Sequence, residues 1–267
     1  MTKPVPLSDF RACRHVLEEY EYATGGEEIA PTDLIERRVW NEITRLPDDI
    51  AIRISNHHGI RLKLLHLLHR DWVRATGNPL KPDNLFNGML DAADCFQCAT
   101  FNFLHGYYRS ALSDLRSALE LVAIGAFGNI KPDDPVYLRW RAGGADLTFP
   151  SCRKRLQRAV VGAPLAWFLK AGAWPEQVYY DLCRYTHSRP DASDGSLWES
   201  NGPVYNGRAI RLTFEMTLCV YAISYLLAKI GRASLVVPNE SLIVFELDWL
   251  PGHQEVAKAF DQAWAKR

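Results

Sequence analysis

Arg184, His187, Ser188 and Arg189 fall close together near the end of a predicted helix, directly ahead of a polar stretch from Asp191 to Gly202. Histidine is the side chain whose ordinary pKa, about 6.5, lets it take up and return a proton near neutrality. Arginine keeps its charge and offers a fork of donors that matches a phosphate. Two arginines and a histidine at the mouth of a polar loop therefore read as an oxyanion site. Asn201 adds donors where the loop closes. The competing reading is that Arg and His cap the last carbonyls of the helix, whose C-terminus favours a protonated His.

A second set lies upstream. At about 100° per residue, Arg109, Ser113, Arg116 and Glu120 share one flank of a helix whose apolar stripe is Leu112, Leu115, Leu119, Val122 and Ala126. Arg116 and Glu120, four apart, are spaced to pair. They serve either a helix seam or a site.

Other chemistries lack their signatures. The chain has no phosphate-cradling glycine loop, nucleophile elbow or His-Glu-x-x-His helix. Cys95-x-x-Cys98 has no second pair to complete a zinc site and lies in an apolar helix pattern, so it reads as core. His57-His58 and the pair His66/His69 lack a carboxylate at matching spacing, and Arg61-x4-His66 encloses a Leu-rich core stripe. No metal and no cofactor is expected.

The elements that must position these residues are helices. Apolar residues recur at helical spacing over 7–22, 47–74, 83–104, 107–127, 175–189, 203–230 and 253–264, with shorter helices over 32–45 and 152–161. Asp83 reads as an N-cap, Gly106 as a kink or tight turn, Pro47 and Pro203 as helix openers, and 132–150 as irregular. The predicted fold is an all-α bundle. It has a long antiparallel helix hairpin, a central buried helix and a small C-terminal appendage with one short strand or hairpin near Leu242. The predicted division is 1–82, 83–232 and 233–267. On the central helix, Arg211 and Glu215 are four apart and spaced to pair.

The chain has 267 residues, 48% of them hydrophobic, enough for a sizeable core. Its 31 basic and 31 acidic residues cancel, so no global field draws it to nucleic acid or membrane; a nucleic-acid role needs a local patch. The longest apolar run, Leu212 to Ile230, contains Glu215 and Lys229 and reads as a buried helix rather than a membrane span. Met1 to Phe10 is poor in apolar residues, which gives no secretory signal, and the cytoplasm is the expected compartment.

Arg-Ser-Ala-Leu-Glu from Arg116 to Glu120, followed by a Tyr- and His-bearing helix end from Tyr179 to His187 ahead of the polar loop, resembles the HEPN superfamily. More narrowly, it resembles bacterial HEPN-like proteins of toxin–antitoxin and phage-defence loci. The resemblance spans about 83–230. It implies a homodimer and a metal-independent endoribonuclease acting on RNA, with His187 as general acid/base and Arg184 and Arg189 on the phosphate. Arg109, Arg116, Glu120, Ser188 and Asn201 would then support or bind. It also implies a possible protein partner or antitoxin. Members without the Arg-His motif are nucleotide-binding or protein-interaction modules, and that alternative stays open here.

Overall fold

A computed structural model describes residues 37–77, 82–186 and 203–264. These residues form nine α-helices and two 3-10 turns, and no strand occurs among them. The all-α class read from the sequence is the class found. The chain divides into two compact units, 1–46 and 47–267. In the first, the described residues 37–46 hold an exposed Arg38–Glu42 pair at 3.3 Å.

Helix α1, Arg37–Thr76, is assigned through Pro47, where the sequence predicts a new start. A proline removes one backbone donor, and this helix tolerates that loss. The departure from helical geometry lies instead at His58 (φ −130°, ψ 24°), next to Gly59, a weak helix former.

Helix α2, Asn84–Leu104, starts where Asp83 accepts from the Phe86 amide at 2.7 Å. Helix α3, Tyr108–Ile130, returns along it. Asn84 Nδ2 reaches the Gly128 carbonyl at 2.8 Å, and Asn102 Nδ2 reaches Asp114 Oδ2 at 2.8 Å, so the two run in opposite directions. Gly88 and Gly125 let the backbones touch: a Cβ on Gly88 would lie 2.6 Å from the Leu121 carbonyl oxygen. The α3 stripe of Leu112, Leu115, Leu119, Val122 and Ala126 is fully buried. Removing the buried part of any of these leucines should cost about 2–5 kcal/mol.

Residues 135–141 form a short helix, α4 (Pro135–Arg141), inside the stretch expected to be irregular. Asp134 caps it and Pro135 sets its first φ, a start signal that the neighbouring glycines obscure. Helices α5 (Phe149–Ala159) and α6 (Trp174–Thr186) pack against α3.

Helix α7, Gly207–Gly231, packs along α3. It starts at Asn206, whose Oδ1 accepts from the Arg208 and Ala209 amides, and not at Pro203. A side chain that satisfies two free amides sets this start better than a proline does. Nearly all of 213–228 is buried. Among the described residues α7 alone is long and apolar enough to cross a membrane, and 83% of its most apolar window is buried inside this chain.

The tail carries a 3-10 turn (Asn239–Leu242), α8 (Ile243–Glu246) and α9 (His253–Trp264), so the strand expected near Leu242 is replaced by helix. Helical spacing turns Ser241, Val244 and Phe245 inward together, which a strand's alternation would not. Tyr225 donates to Ser241 Oγ at 3.1 Å, and Ser241 donates to Asp71 Oδ2 at 3.3 Å. The fully buried Asp71 is further paired with Arg70 and Arg74 at 3.1 and 3.5 Å.

The pairing expected between Arg211 and Glu215 does not form. Arg211 is exposed, and no ion pair joins the two. Glu215 is half-buried and Arg211 does not pair with it, so Glu215→Ala should shift stability by no more than about 1 kcal/mol. A urea midpoint lowered well beyond that would show that Glu215 has a structural partner.

Candidate functional site

Helix α6 is the element that leads into the candidate site, and buried contacts fix its seat. Tyr179 is buried, donates to Glu120 Oε1 on α3 at 2.6 Å, and stacks on Phe149 of α5 at 4.9 Å. Arg116 Nε lies 3.7 Å from the same Glu120 oxygen, and its guanidinium carbon is 5.9 Å from the centre of the Tyr179 ring. Burial, and then the Glu120 carboxylate, push the Tyr179 hydroxyl well above its usual value, so it stays a donor.

The flank of α3 that carries Arg116 and Glu120 thus faces α6. Arg109 is half-buried about two turns earlier. At the start of α6, Arg153 and Glu176 form a buried pair at 3.0 Å. Arg153 also donates to the Leu169 carbonyl, and Glu176 accepts from the Gly172 amide at 2.6 Å.

At the other end of α6, Arg184 is exposed and lies 3.7 Å from Asp181. Pairs this open are worth little, so the guanidinium can turn to a ligand cheaply. Burial raises the Asp181 carboxyl, and Arg184 partly offsets it. Tyr185, beside Arg184, is raised by burial and then by Asp181, and it feels the opposing charges of Arg184 and Arg208. Arg208 is exposed at the start of α7. The last turn of α6 and the first turn of α7 therefore lie near each other, at the two ends of segment 187–202. His187, Ser188, Arg189, Asn201 and the rest of the polar loop lie outside the described residues.

The cysteines divide differently from the expected core reading. Cys98 is exposed and Cys95 half-buried, with its thiol pushed up to about 11 by burial and nearby Asp114. Buried and exposed positions of α2 follow the helical turn, with Ala92, Phe96 and Ala99 inward and Gln97 and Cys98 outward, so an apolar pattern alone did not place Cys98. Arg61 turns to His58 and Phe214, while His66 is exposed. No group of three or more His, Cys, Asp or Glu among the described residues is placed to hold a metal ion.

One cluster escaped the sequence reading: Arg53, His57 and His58 gathered around Tyr205, with Arg61 bonded to His58. The spacing of Arg53, His57 and Arg61, four residues each, was the available signal. Tyr205, distant in sequence, was not.

Compared with family models, curated proteins and solved structures, the chain matches none.

Proposed function

We propose that this chain is a HEPN-like protein that acts on RNA in the cytoplasm as a homodimer, in the toxin or phage-defence role that its resemblance implies. The observation that supports this reading most is the placement of fixed positive charge, Arg184 and Arg208, at both ends of segment 187–202, with α6 anchored on α3 through Glu120.

In the proposed reaction the ribose 2′-oxygen bonds to the adjacent phosphorus, and the bond from phosphorus to the 5′-oxygen breaks. His187 takes the 2′-hydroxyl proton, and a proton is returned to the leaving 5′-oxygen. Arg184 and Arg189 stabilise the charge that builds on the phosphoryl oxygens. Arg116 and Glu120 act at a distance by holding α6.

The test is expression in a bacterial host with RNA ends mapped chemically. The wild-type chain should yield new 2′,3′-cyclic phosphate and 5′-hydroxyl ends, and His187→Ala should abolish them without changing the melting temperature. Arg184→Ala should cost about 2–4 kcal/mol of transition-state stabilisation. Full activity in both variants would put the site elsewhere, and a wild-type chain that yields no new ends would leave the non-catalytic binding module as the reading.

A further inference from the structure

The break in α1 carries two arginines and two histidines that the α6 site does not use. Tyr205 inserts among them. The Arg53 guanidinium carbon is 4.3 Å from its ring centre, the His58 ring stacks on it at 6.2 Å and 26°, and His57 approaches edge-on at 6.1 Å. Arg61 bonds His58 Nδ1, while His58 Nε2 is 3.4 Å from the Tyr205 hydroxyl oxygen. A guanidinium can only donate, so Nδ1 accepts and the proton of a neutral His58 sits on Nε2.

Among the described residues, no carboxylate pairs with Arg53, His57, His58 or Arg61. A groove of about 670 Å³, lined by the run from Asn56 to Arg61 with the exposed Ile60 in it, opens beside them, and Arg53 adjoins it across the Tyr205 ring. Like charges held together repel, and a concave surface focuses their field. One forked guanidinium and two imidazoles on the groove, with a second guanidinium adjoining, suit a tetrahedral oxyanion better than a planar carboxylate.

We propose that this groove is a second binding site, which takes the phosphate group of a nucleotide or of an RNA strand on Arg61 and the two histidines, with the charge of Arg53 adjoining. It stands independently of the α6 reading, because none of its residues belongs to that site. Without a ligand, burial and then the charges of Arg61 and His57 hold His58 below its ordinary pKa. A bound phosphate draws Arg61 to itself and favours a protonated His58. Affinity should therefore be highest at the acid end and fall as pH rises through the lowered titration range of His58. The charged and titratable groups facing His58 are Arg61 and His57 on α1 and Tyr205 opposite.

The test is calorimetry on the full chain with inorganic phosphate, uridine monophosphate, a short oligouridylate and acetate. Phosphate should bind and acetate should not. Equal affinity for phosphate and monophosphate assigns the site to a free phosphate group. A much tighter oligouridylate, weakening steeply with salt, assigns it to a strand. Arg53→Gln changes an exposed side chain and should weaken binding about tenfold. Arg61→Lys, which keeps the charge but loses the fork, should also weaken it. The proposal is overturned if phosphate does not bind, or if Arg53→Gln and Arg61→Lys both bind like wild type. Loss of phosphate binding in Arg53→Gln with RNA cleavage retained separates the two sites.

Discussion

Arg153→Met is expected to lower unfolding free energy by about 3–5 kcal/mol, the cost of leaving a buried charge without its partner. Glu176 would keep its Gly172 amide but lose the guanidinium 3.0 Å away, in a seam where both side chains are less than a tenth exposed. Glu176→Gln should cost about 1–3 kcal/mol, because a neutral amide can still accept from Gly172 while Arg153 keeps the Leu169 carbonyl. Combining Arg153→Met with Glu176→Leu should cost clearly less than the sum of the single losses, since neither charge is then stranded. Urea denaturation of the set reads these differences. A loss below about 1 kcal/mol for Arg153→Met would mean that the pair is hydrated and does not seat α6.

Gly106→Ala should be the most damaging small substitution at the second site. Gly106 has φ +80°, and an added Cβ would stand 2.7 Å from both the nitrogen and the oxygen of Val204. The left-handed conformation alone costs an alanine about 1–2 kcal/mol. The obstacle is backbone, so the chain at Val204 must move, and with it goes the 2.8 Å bond from Tyr108 to the Val204 carbonyl, worth about 1 kcal/mol more. Tyr205 follows Val204, so phosphate affinity should fall together with stability. Gly59→Ala is the control: nothing lies within 4 Å of its Cβ position, and the change should be neutral or mildly stabilising. Equal melting temperatures for both variants would contradict this account of the turn.

The helices were legible because an apolar stripe at 3.6-residue spacing is a local signal. The α3 stripe from Leu112 to Ala126 is buried as its spacing required. Starts were less legible, because Pro47 and Pro203 drew attention from the Asn206 cap and from the break at His58. On α7 spacing says less, because a helix covered almost all round has no face that composition can pick out. At the candidate site, the 100° rule put Arg116 and Glu120 on one flank, and Glu120 does meet α6. It could not name Tyr179 as the partner. Nor could it bring Tyr205 to Arg53, since contacts across the chain leave no trace in local spacing.

The almost complete burial of α7 also constrains how the chain can be made. A ribosome releases α3, one wall around α7, before α7 itself, whereas α8 and α9, which also pack on α7, emerge last. For that interval a segment apolar enough to suit a lipid bilayer is only partly sheltered, so this helix is the natural client of any chaperone or targeting factor that samples nascent chains.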